Sequence, residues 1–185
     1  MRLFFSVCLD KKVNLTIAEA KIQHVPALVA LINSAYRGEA SRLGWTTEAD
    51  LLAGRRTDVA NISQLLTATD SVMLIGLEKT ALLGCIHLQR QSMSVQLGML
   101  AVLPTRQGQG IGKQLLTAAE AEARQRWAIK QLRMAVIPLR TELIAFYQRC
   151  GYQLNGQISE FPQNPALWTP KVAGLCLAWL EKNLN

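Results

Sequence analysis

The chain alternates between short apolar runs and longer stretches whose apolar residues recur at helical spacing. Apolar runs at residues 72–77, 82–88 and 95–102 predict three successive strands, and residues 78–81 join the first two as a hairpin. Residues 15–20 alternate apolar and polar positions and predict an earlier strand. The first part of the chain therefore supplies four strands, three of them consecutive.

Helical spacing and capping signals predict three helices before residue 70. The first covers residues 22–36, with a proline in its first turn and a glycine shortly after it as a stop. Residues 47–54 resemble a capping box followed by a short helix, which makes Glu48 and Asp50 capping residues rather than ligands. Asp58 is expected to cap another short helix.

The second half of the chain alternates helices and strands. Its predicted elements are a long helix from Ile111, a strand at 132–136, a helix from Arg140 or Thr141 to Gly151, a short strand at 152–154, a proline-punctuated loop at 161–170 and a closing strand at 172–180. Strands in a row, followed by helix, strand, helix and final strands, predict a mixed α/β sheet.

Length and composition indicate one globular domain. A chain of 185 residues can bury a sizeable core, and we interpret residues 15–185 as a single domain and residues 1–14 as a leader or an edge strand. Half of the residues are hydrophobic and 18% are charged, which excludes a disordered chain. No apolar run reaches the ~18 residues of a membrane span. We therefore predict a cytoplasmic protein that has no membrane partner.

The formal charge of +7 raises the question of nucleic-acid binding. Lysines and arginines are scattered, without a basic run or interleaved aromatic residues, so a polyanionic coenzyme explains the charge better and no nucleic-acid partner is expected. The four cysteines lie far apart and the two histidines are isolated. These spacings predict neither a metal site nor a disulfide framework.

A glycine-rich turn follows the apolar run at 95–102. Pro104 ends that strand, and Gly108, Gly110 and Gly112 lead into the long helix. Glycines let the backbone approach a ligand closely, and the first N–H groups of a helix lack internal partners. A strand, such a turn and a helix in this order build an anion site, so the ligand should carry phosphate.

The spacing of the turn separates three classes of phosphate-binding motif. A Walker A loop would need glycine at Gln107 and serine or threonine at Gln114, and a Rossmann fingerprint needs Gly-x-Gly-x-x-Gly, which this turn lacks. Residues 107–112 instead match Gln/Arg-x-x-Gly-x-Gly/Ala and resemble the acyl-coenzyme A loop of the GNAT superfamily of N-acetyltransferases. Residues 143–152 are similar to that family's helix ending in Phe-Tyr-x-x-x-Gly-Phe/Tyr.

The resemblance implies a fold and a reaction. The fold is a mixed, mostly antiparallel central sheet with flanking helices, in which the strand holding Leu100 carries a bulge and splays from the strand holding Met134. The reaction is transfer of an acetyl group from acetyl-CoA to a primary amine of a small molecule or amino acid, by direct attack in a ternary complex. A protein or peptide N-acetyltransferase and a non-catalytic acyl-CoA-binding module are the alternatives. The chain is expected to act as a monomer or a homodimer.

The resemblance also implies how the coenzyme is held, without a metal. Backbone N–H groups of the turn would bind the pyrophosphate, and backbone groups of the preceding strand would pair with the pantetheine amides. The residues concerned are Leu100, Ala101 and Val102 on the strand and Gln107, Gly108, Gln109, Gly110, Ile111, Gly112 and Lys113 in the turn.

Tyr147 is the predicted general acid. The departing thiolate should have a conjugate-acid pKa of about 8.5 and tyrosine one of about 10, a gap small enough for proton donation as the C–S bond breaks. The chain has Arg140 where the family often has asparagine, and Gln96 where it often has glutamate. Arg140 could touch a coenzyme phosphate or lie in solvent. The general base stays open among Glu39, Glu48, Glu142 and His87.

The irregular residues 36–45 are expected to determine acceptor specificity, because this segment overhangs the acceptor end of the cleft in the fold that the resemblance implies. They mix arginine, glutamate and aromatic residues, as an amine that bears a carboxylate would require. Arg37 and Arg42 could clamp the carboxylate, with Glu39 and Trp45 as further substrate-binding candidates. The alternative is a set of surface charges around a buried tryptophan.

Overall fold

The structure is a computed structural model that describes residues 13–184, and it places helices on both faces of one sheet. The strands are β1 (Thr16–Glu19), β2 (Leu52–Gly54), β3 (Ser71–Glu78), β4 (Ala81–Gln91), β5 (Ser94–Val102), β6 (Gln131–Val136), β7 (Gln153–Glu160), β8 (Trp168–Pro170) and β9 (Cys176–Asn183). The helices are α1 (Val25–Tyr36), α2 (Gly38–Ser41), α3 (Val59–Thr67), α4 (Ile111–Trp127) and α5 (Thr141–Arg149).

Seven strands form the central sheet, in the order β1-β3-β4-β5-β6-β9-β7. Every neighbouring pair is antiparallel except β5 and β6, which are parallel. Strands β2 and β8 pair separately as a small antiparallel sheet. The predicted mixed, mostly antiparallel sheet with flanking helices is therefore confirmed.

A bulge in β5 opens the sheet between β5 and β6. Cys85 pairs with Ala101 and His87 with Gly98, so that Met99 and Leu100 face a single residue of β4. Strand β5 pairs with β6 only over residues 94–97, which leaves its second half without a neighbour on that side. Backbone groups of this half have no strand partner on the β6 side, since a bulge locally ends ladder pairing, although the carbonyls of Leu100 and Val102 accept hydrogen bonds from the side chains of Tyr36 and Gln107.

The two faces of the sheet bury separate apolar clusters. Helix α4 packs on one face through Ile111, Leu115 and Ala119, each at most 1% exposed and spaced at three to four residues. Helices α1 and α3 pack on the other face through residues such as Leu28 and Ile62. Burial of one such leucine or isoleucine stabilises the fold by roughly 1.5–3 kcal/mol, and this packing fixes the end of α4 at which the glycine turn lies.

Most predicted elements are present, including the cap of α3, where Asp58 Oδ1 accepts from Asn61 N–H at 2.8 Å. The short helix predicted within residues 47–54 is wrong. Leu52 instead begins β2, which pairs with β8 inside the segment predicted as a loop. Gly38, expected to stop α1, begins the one-turn helix α2. The pairing of β2 with a strand more than 100 residues later leaves no trace in local spacing.

Several expectations concern features outside the sheet. The prediction for the segment 1–14 lies outside the described residues except for Val13 and Asn14, which belong to no helix or strand. Of the described cysteines, Cys85 is buried and Cys150 and Cys176 are half-buried, all as free thiols. Over residues 13–184 no helix is long and apolar enough to cross a membrane, and no three metal-ligating side chains come together.

Candidate functional site

The turn between β5 and α4 adopts a backbone that favours glycine. Gly108 and Gly110 have φ of +81° and +76°, in the left-handed region, although a Cβ at either position would meet nothing within 4 Å. The first bond of α4 joins Gln114 N–H to Gly110 O at 3.1 Å. The N–H groups of residues 111–113 thus precede the helical ladder and are available to an anion.

The side chain of Gln107 fastens the turn to the loop that follows α2. Its Oε1 accepts from Trp45 N–H at 2.9 Å, and its Nε2 donates to Thr46 Oγ1 at 2.9 Å and to Val102 O at 3.2 Å. The contact is tight, since a Cβ at Gly44 would lie 2.5 Å from Gln107 Oε1. Gln107 therefore couples the turn to the segment predicted to determine acceptor specificity.

A cavity of about 390 Å³ begins at this turn. Its wall includes Gly110 and Lys113 at the start of α4, Val102 on β5 and Phe146 on α5. Trp45, 43% exposed, packs edge-on against Phe146 with ring centroids 5.8 Å apart and completes the wall. An elongated ligand with an anionic end fits a cavity that has unpaired N–H groups at one end and an unpaired strand edge along its side.

A second, smaller cavity of about 230 Å³ also borders α5, at Leu143 and Tyr147. It reaches the opposite half of the β5–β6 opening, at Gly98 and Met134, and the β8 region, at Trp168. Five residues line both cavities, and they mark where the two meet: Tyr36, Leu100, Arg140, Leu143 and Tyr147.

Tyr147 is 6% exposed at this junction, between the rings of Phe146 at 5.3 Å and Tyr152 at 6.2 Å. Burial raises the pKa of Tyr147 above its ordinary value, because the phenolate would lose its hydration. Its hydroxyl is therefore protonated throughout the neutral range, as a proton donor requires. The higher pKa also makes the phenol a weaker acid than the free side chain on which the sequence argument relied.

A buried ionic cluster forms one side of the smaller cavity. Glu48 accepts from Arg37 Nη2 at 3.0 Å and from Arg140 Nη1 at 2.6 Å, and all three side chains are at most 10% exposed. Arg140 also donates to Thr46 O. Within residues 13–184, Nε and Nη1 of Arg37 have no hydrogen-bond partner.

Tyr36 and Arg56 complete this charged side. The Tyr36 hydroxyl donates to Leu100 O at 3.2 Å, which ties α1 to the bulged strand. The guanidinium of Arg56 lies 5.5 Å from the centroid of the Tyr36 ring and that of Arg140 lies 5.7 Å away, both within the range of cation–π contacts. No carboxylate of the described chain pairs with Arg56.

Part of the chain that builds these two cavities is similar to a known protein family. Residues 69–154 match the family model of the acetyltransferase (GNAT) domain, and this range includes the bulged strand, the glycine turn and Tyr147. Residues 69–154 are a GNAT acetyltransferase domain. The resemblance inferred from residues 107–112 and 143–152 is confirmed. No curated protein sequence matches the chain.

Solved GNAT structures share the fold along nearly the whole chain. The ribosomal-protein-alanine N-acetyltransferase from Brucella melitensis is 24% identical, with a TM-score of 0.67 over 92% of this chain and 100% of that one. A GNAT family acetyltransferase from Elizabethkingia anophelis with acetyl-CoA bound is 19% identical (TM-score 0.64, coverage 92% and 99%). The PaiA N-acetyltransferase from Thermoplasma acidophilum, in complex with coenzyme A, is 17% identical (TM-score 0.67, coverage 92% and 99%).

The GNAT domain brings most of the predicted coenzyme residues to the larger cavity. Those that line it are Leu100, Val102, Gln107, Gly108, Gly110, Ile111, Gly112 and Lys113. The side chain of Ala101 instead belongs to the apolar cluster under α1. The side chain of Gln109 accepts a hydrogen bond from Arg106 Nε at 3.0 Å. The same arginine donates through Nη1 to Glu78 of β3.

The predicted acceptor residues precede the matched range and separate into two groups. Arg37 lines the smaller cavity and Trp45 the larger one. Arg42 and Glu39 lie at the surface, where Arg42 pairs with Glu39 at 3.2 Å and with Asp50 at 2.7 Å. These surface pairs give Arg42 no contact with either cavity, so the structure does not support a clamp made of Arg37 and Arg42.

The four candidate bases also lie in different places. Glu39 and Glu142 are exposed. His87 hydrogen-bonds Ser71 Oγ at 2.8 Å, and burial lowers the pKa of His87 to about 4. Glu48 alone of the four lines a cavity, with its two oxygens engaged by arginines.

Two sequence-based interpretations need correction. Glu48 is not a helix cap, because it is the centre of the buried ionic cluster. Arg140 does not lie in solvent, since its side chain is 10% exposed, pairs with Glu48 beside Tyr36 and lines both cavities. Sequence analysis missed Arg56 and Thr46 entirely, since no motif or spacing marks either residue.

Proposed function

We propose that this protein is an acetyl-CoA-dependent N-acetyltransferase that acetylates a primary amine of a small molecule. The observation that carries the proposal is the meeting of the two cavities at Tyr147, one suited to an elongated anionic coenzyme and the other to a small acceptor. The bound acetyl-CoA and coenzyme A of two structural relatives support the same assignment.

The larger cavity would hold the pantetheine arm and the pyrophosphate of acetyl-CoA, which supplies an acetyl group as a thioester. The N–H groups of residues 111–113 would hold the pyrophosphate, aided by the positive end of α4 and the charge of Lys113. The backbone of Leu100 and Val102, unpaired on the β6 side, would bind the amides of the pantetheine arm. Trp45 and Phe146 would exclude water from the arm.

The reaction joins the amine nitrogen to the thioester carbonyl carbon and breaks the carbon–sulfur bond. A neutral amine loses one proton and the sulfur gains one, so the exchange balances without a further reactant. Tyr147 would hold its phenolic proton at the junction and donate it to the leaving sulfur. The burial that keeps this phenol protonated also excludes water from the reacting atoms.

A covered acceptor cavity favours a small molecule over a protein substrate. Strand β8 pairs with β2, and Arg55 N–H donates to Leu167 O at 2.7 Å, so the 161–170 segment lies across this end of the domain. Phe161, Pro162 and Trp168 of that segment line the cavity. A peptide acceptor would need an open groove at this position, or displacement of the segment.

Release of free thiol from acetyl-CoA, measured against a panel of small amines and a panel of peptides, tests the proposal. We expect turnover with members of the small-amine panel. Turnover with peptides alone would replace the proposal with a protein-directed enzyme. Binding of acetyl-CoA by calorimetry without turnover on either panel would indicate a non-catalytic acyl-CoA-binding module.

A further inference from the structure

Positively charged side chains outnumber negatively charged ones in the wall of the smaller cavity. Its wall contains three arginines, Arg37, Arg56 and Arg140, and a single carboxylate, that of Glu48. No other charged side chain of the described residues lines it. Because an uncompensated charge is costly in a partly buried site, this excess indicates that an anion belongs in the cavity.

The three arginines differ in how far they are already satisfied. Arg140 has two acceptors, Glu48 and the Thr46 carbonyl. Arg37 shares Glu48 through Nη2 only, and its Nε and Nη1 have no partner although its side chain is 4% exposed. The guanidinium of Arg56, half-buried on the Tyr36 ring, has no carboxylate partner among residues 13–184. Among the described residues of this wall, the guanidinium donors that lack a partner are therefore those of Arg37 and Arg56.

We propose that the acceptor amine carries a carboxylate, and that Arg56, together with Arg37, binds this carboxylate in the smaller cavity. The proposal rests on the proposed function, since it names the substrate class of the same site. A planar guanidinium fork matches a carboxylate with two parallel hydrogen bonds, and the guanidinium of Arg56 lies over the Tyr36 ring, 5.5 Å from its centroid, at the wall of the cavity.

The remaining lining limits the acceptor to a small molecule with an apolar part. Drug-sized ligands occupy pockets of roughly 300–1,000 Å³, and this cavity measures about 230 Å³. Met134, Trp168 and Leu177 form its apolar side. An amino acid has the required features: an amine to reach the junction at Tyr147, a carboxylate for the arginines and a side chain for the apolar side.

The contribution of the carboxylate to binding can be measured with pairs of ligands that differ at that group. Calorimetry on the protein saturated with coenzyme A would compare L-amino acids with their carboxamides, at a pH low enough for both amines to be protonated, so that the pairs share the side chain and the ammonium group and differ at the carboxylate. We expect the acid to bind at least about tenfold more tightly, the effect of one charged hydrogen bond. Equal binding of acid and carboxamide, or no binding by any member of the panel, would overturn the proposal.

Variants of the adjacent residues Arg55 and Arg56 test whether Arg56 causes the preference for the acid over the carboxamide. Arg56→Gln should remove the preference for the acid, and its removal leaves no carboxylate unpaired, so the fold should persist. Arg56→Lys keeps the charge without the fork and should retain part of the preference. Arg55→Gln is the matched control, because Arg55 is exposed and outside both cavities. An unchanged preference in Arg56→Gln would contradict the assignment.

Binding and turnover separate this proposal from the function on which it rests. Thiol release with amino acids tests the acetyltransferase, whereas the acid-to-carboxamide binding ratio tests the arginines. Tighter binding of the acid without thiol release would contradict the proposed function and leave the carboxylate proposal standing. Thiol release with acid and carboxamide at equal kcat/KM would contradict the carboxylate proposal and leave the proposed function standing.

Discussion

The two ends of the cleft are built from different materials. The proposed coenzyme end consists largely of main chain: two glycines with positive φ, the N–H groups that begin α4 and the part of β5 that has no strand partner on the β6 side. The proposed acceptor end consists of buried and half-buried side chains, with three arginines around Glu48 and Tyr36. A site built from main-chain groups therefore depends on a few residue types, such as glycine, at fixed spacing. A site built from side chains depends on particular residues that come together from distant parts of the chain.

The largest expected effect tests the ionic cluster at the acceptor end. Glu48→Gln removes the only carboxylate from two buried arginines, and breaking a buried ion pair costs about 3–5 kcal/mol. Urea unfolding should therefore show a loss of about 3 kcal/mol or more. Glu39→Gln is the matched control, since the exposed pair of Glu39 with Arg42 should contribute little. Equal losses in the two variants would mean that the cluster is not buried in solution.

The next prediction concerns the junction between the two ends. Tyr147→Phe should lower turnover at least tenfold and leave coenzyme affinity nearly unchanged, because only the proton donor is removed. Steady-state kinetics and calorimetry measure the two effects. Tyr152→Phe is the control: it removes a buried hydroxyl that contacts Glu120 and lines neither cavity, so turnover should persist. Unchanged turnover in Tyr147→Phe, with chemistry rate-limiting, would remove this residue from the mechanism.

The pH dependence of turnover sharpens the same point. Burial raises the pKa of Tyr147 above its ordinary value near 10, so the phenol stays protonated as the pH rises to that value. Loss of its proton therefore cannot reduce kcat below pH 10. We expect the kcat–pH profiles of the wild type and Tyr147→Phe to differ in height and to keep the same shape up to that pH. An alkaline fall in the wild type alone, centred below pH 10, would contradict the burial argument.

Two glycines test the coenzyme end. Gly110→Ala places a Cβ in the left-handed region, which costs roughly 1–2 kcal/mol, whereas Gly112→Ala meets Phe146 Cζ at an ordinary 3.5 Å and should leave stability nearly unchanged. Thermal unfolding compares the variants. A larger loss of stability in Gly112→Ala than in Gly110→Ala would show that the turn has a different backbone.

The smallest expected effect concerns the connection between the two ends. Gln107→Met keeps the length of the side chain without adding a charge beside the proposed anion site, and it loses the hydrogen bonds to Trp45 N–H, Thr46 Oγ1 and Val102 O, at about 0.5–1.5 kcal/mol per hydrogen bond. Because the loop at residues 45–46 also carries the Arg140 contact, we expect acceptor KM to rise several-fold with little change in coenzyme affinity. Steady-state kinetics with both substrates varied would measure it, and an effect confined to coenzyme affinity would contradict this role.

The structural elements of the proposed coenzyme end were predicted far better than those of the proposed acceptor end, for a physical reason. Strand, glycine turn and helix follow one another within residues 95–127, so spacing alone identifies them. Glu48 instead meets Arg140 92 positions later, and β2 meets β8 at a similar separation. Local spacing therefore indicated a helix at residues 47–54, where long-range pairing forms a strand and a buried ion pair.

A crystal structure of the protein with acetyl-CoA or coenzyme A would test the central claim, that the two cavities meet at Tyr147 around the reacting sulfur. The account predicts pyrophosphate on the N–H groups of residues 111–113 and the sulfur within hydrogen-bond reach of the Tyr147 hydroxyl, directly or through one water. A complex in which that hydroxyl lies away from the sulfur, or in which the pyrophosphate contacts another part of the chain, would contradict it.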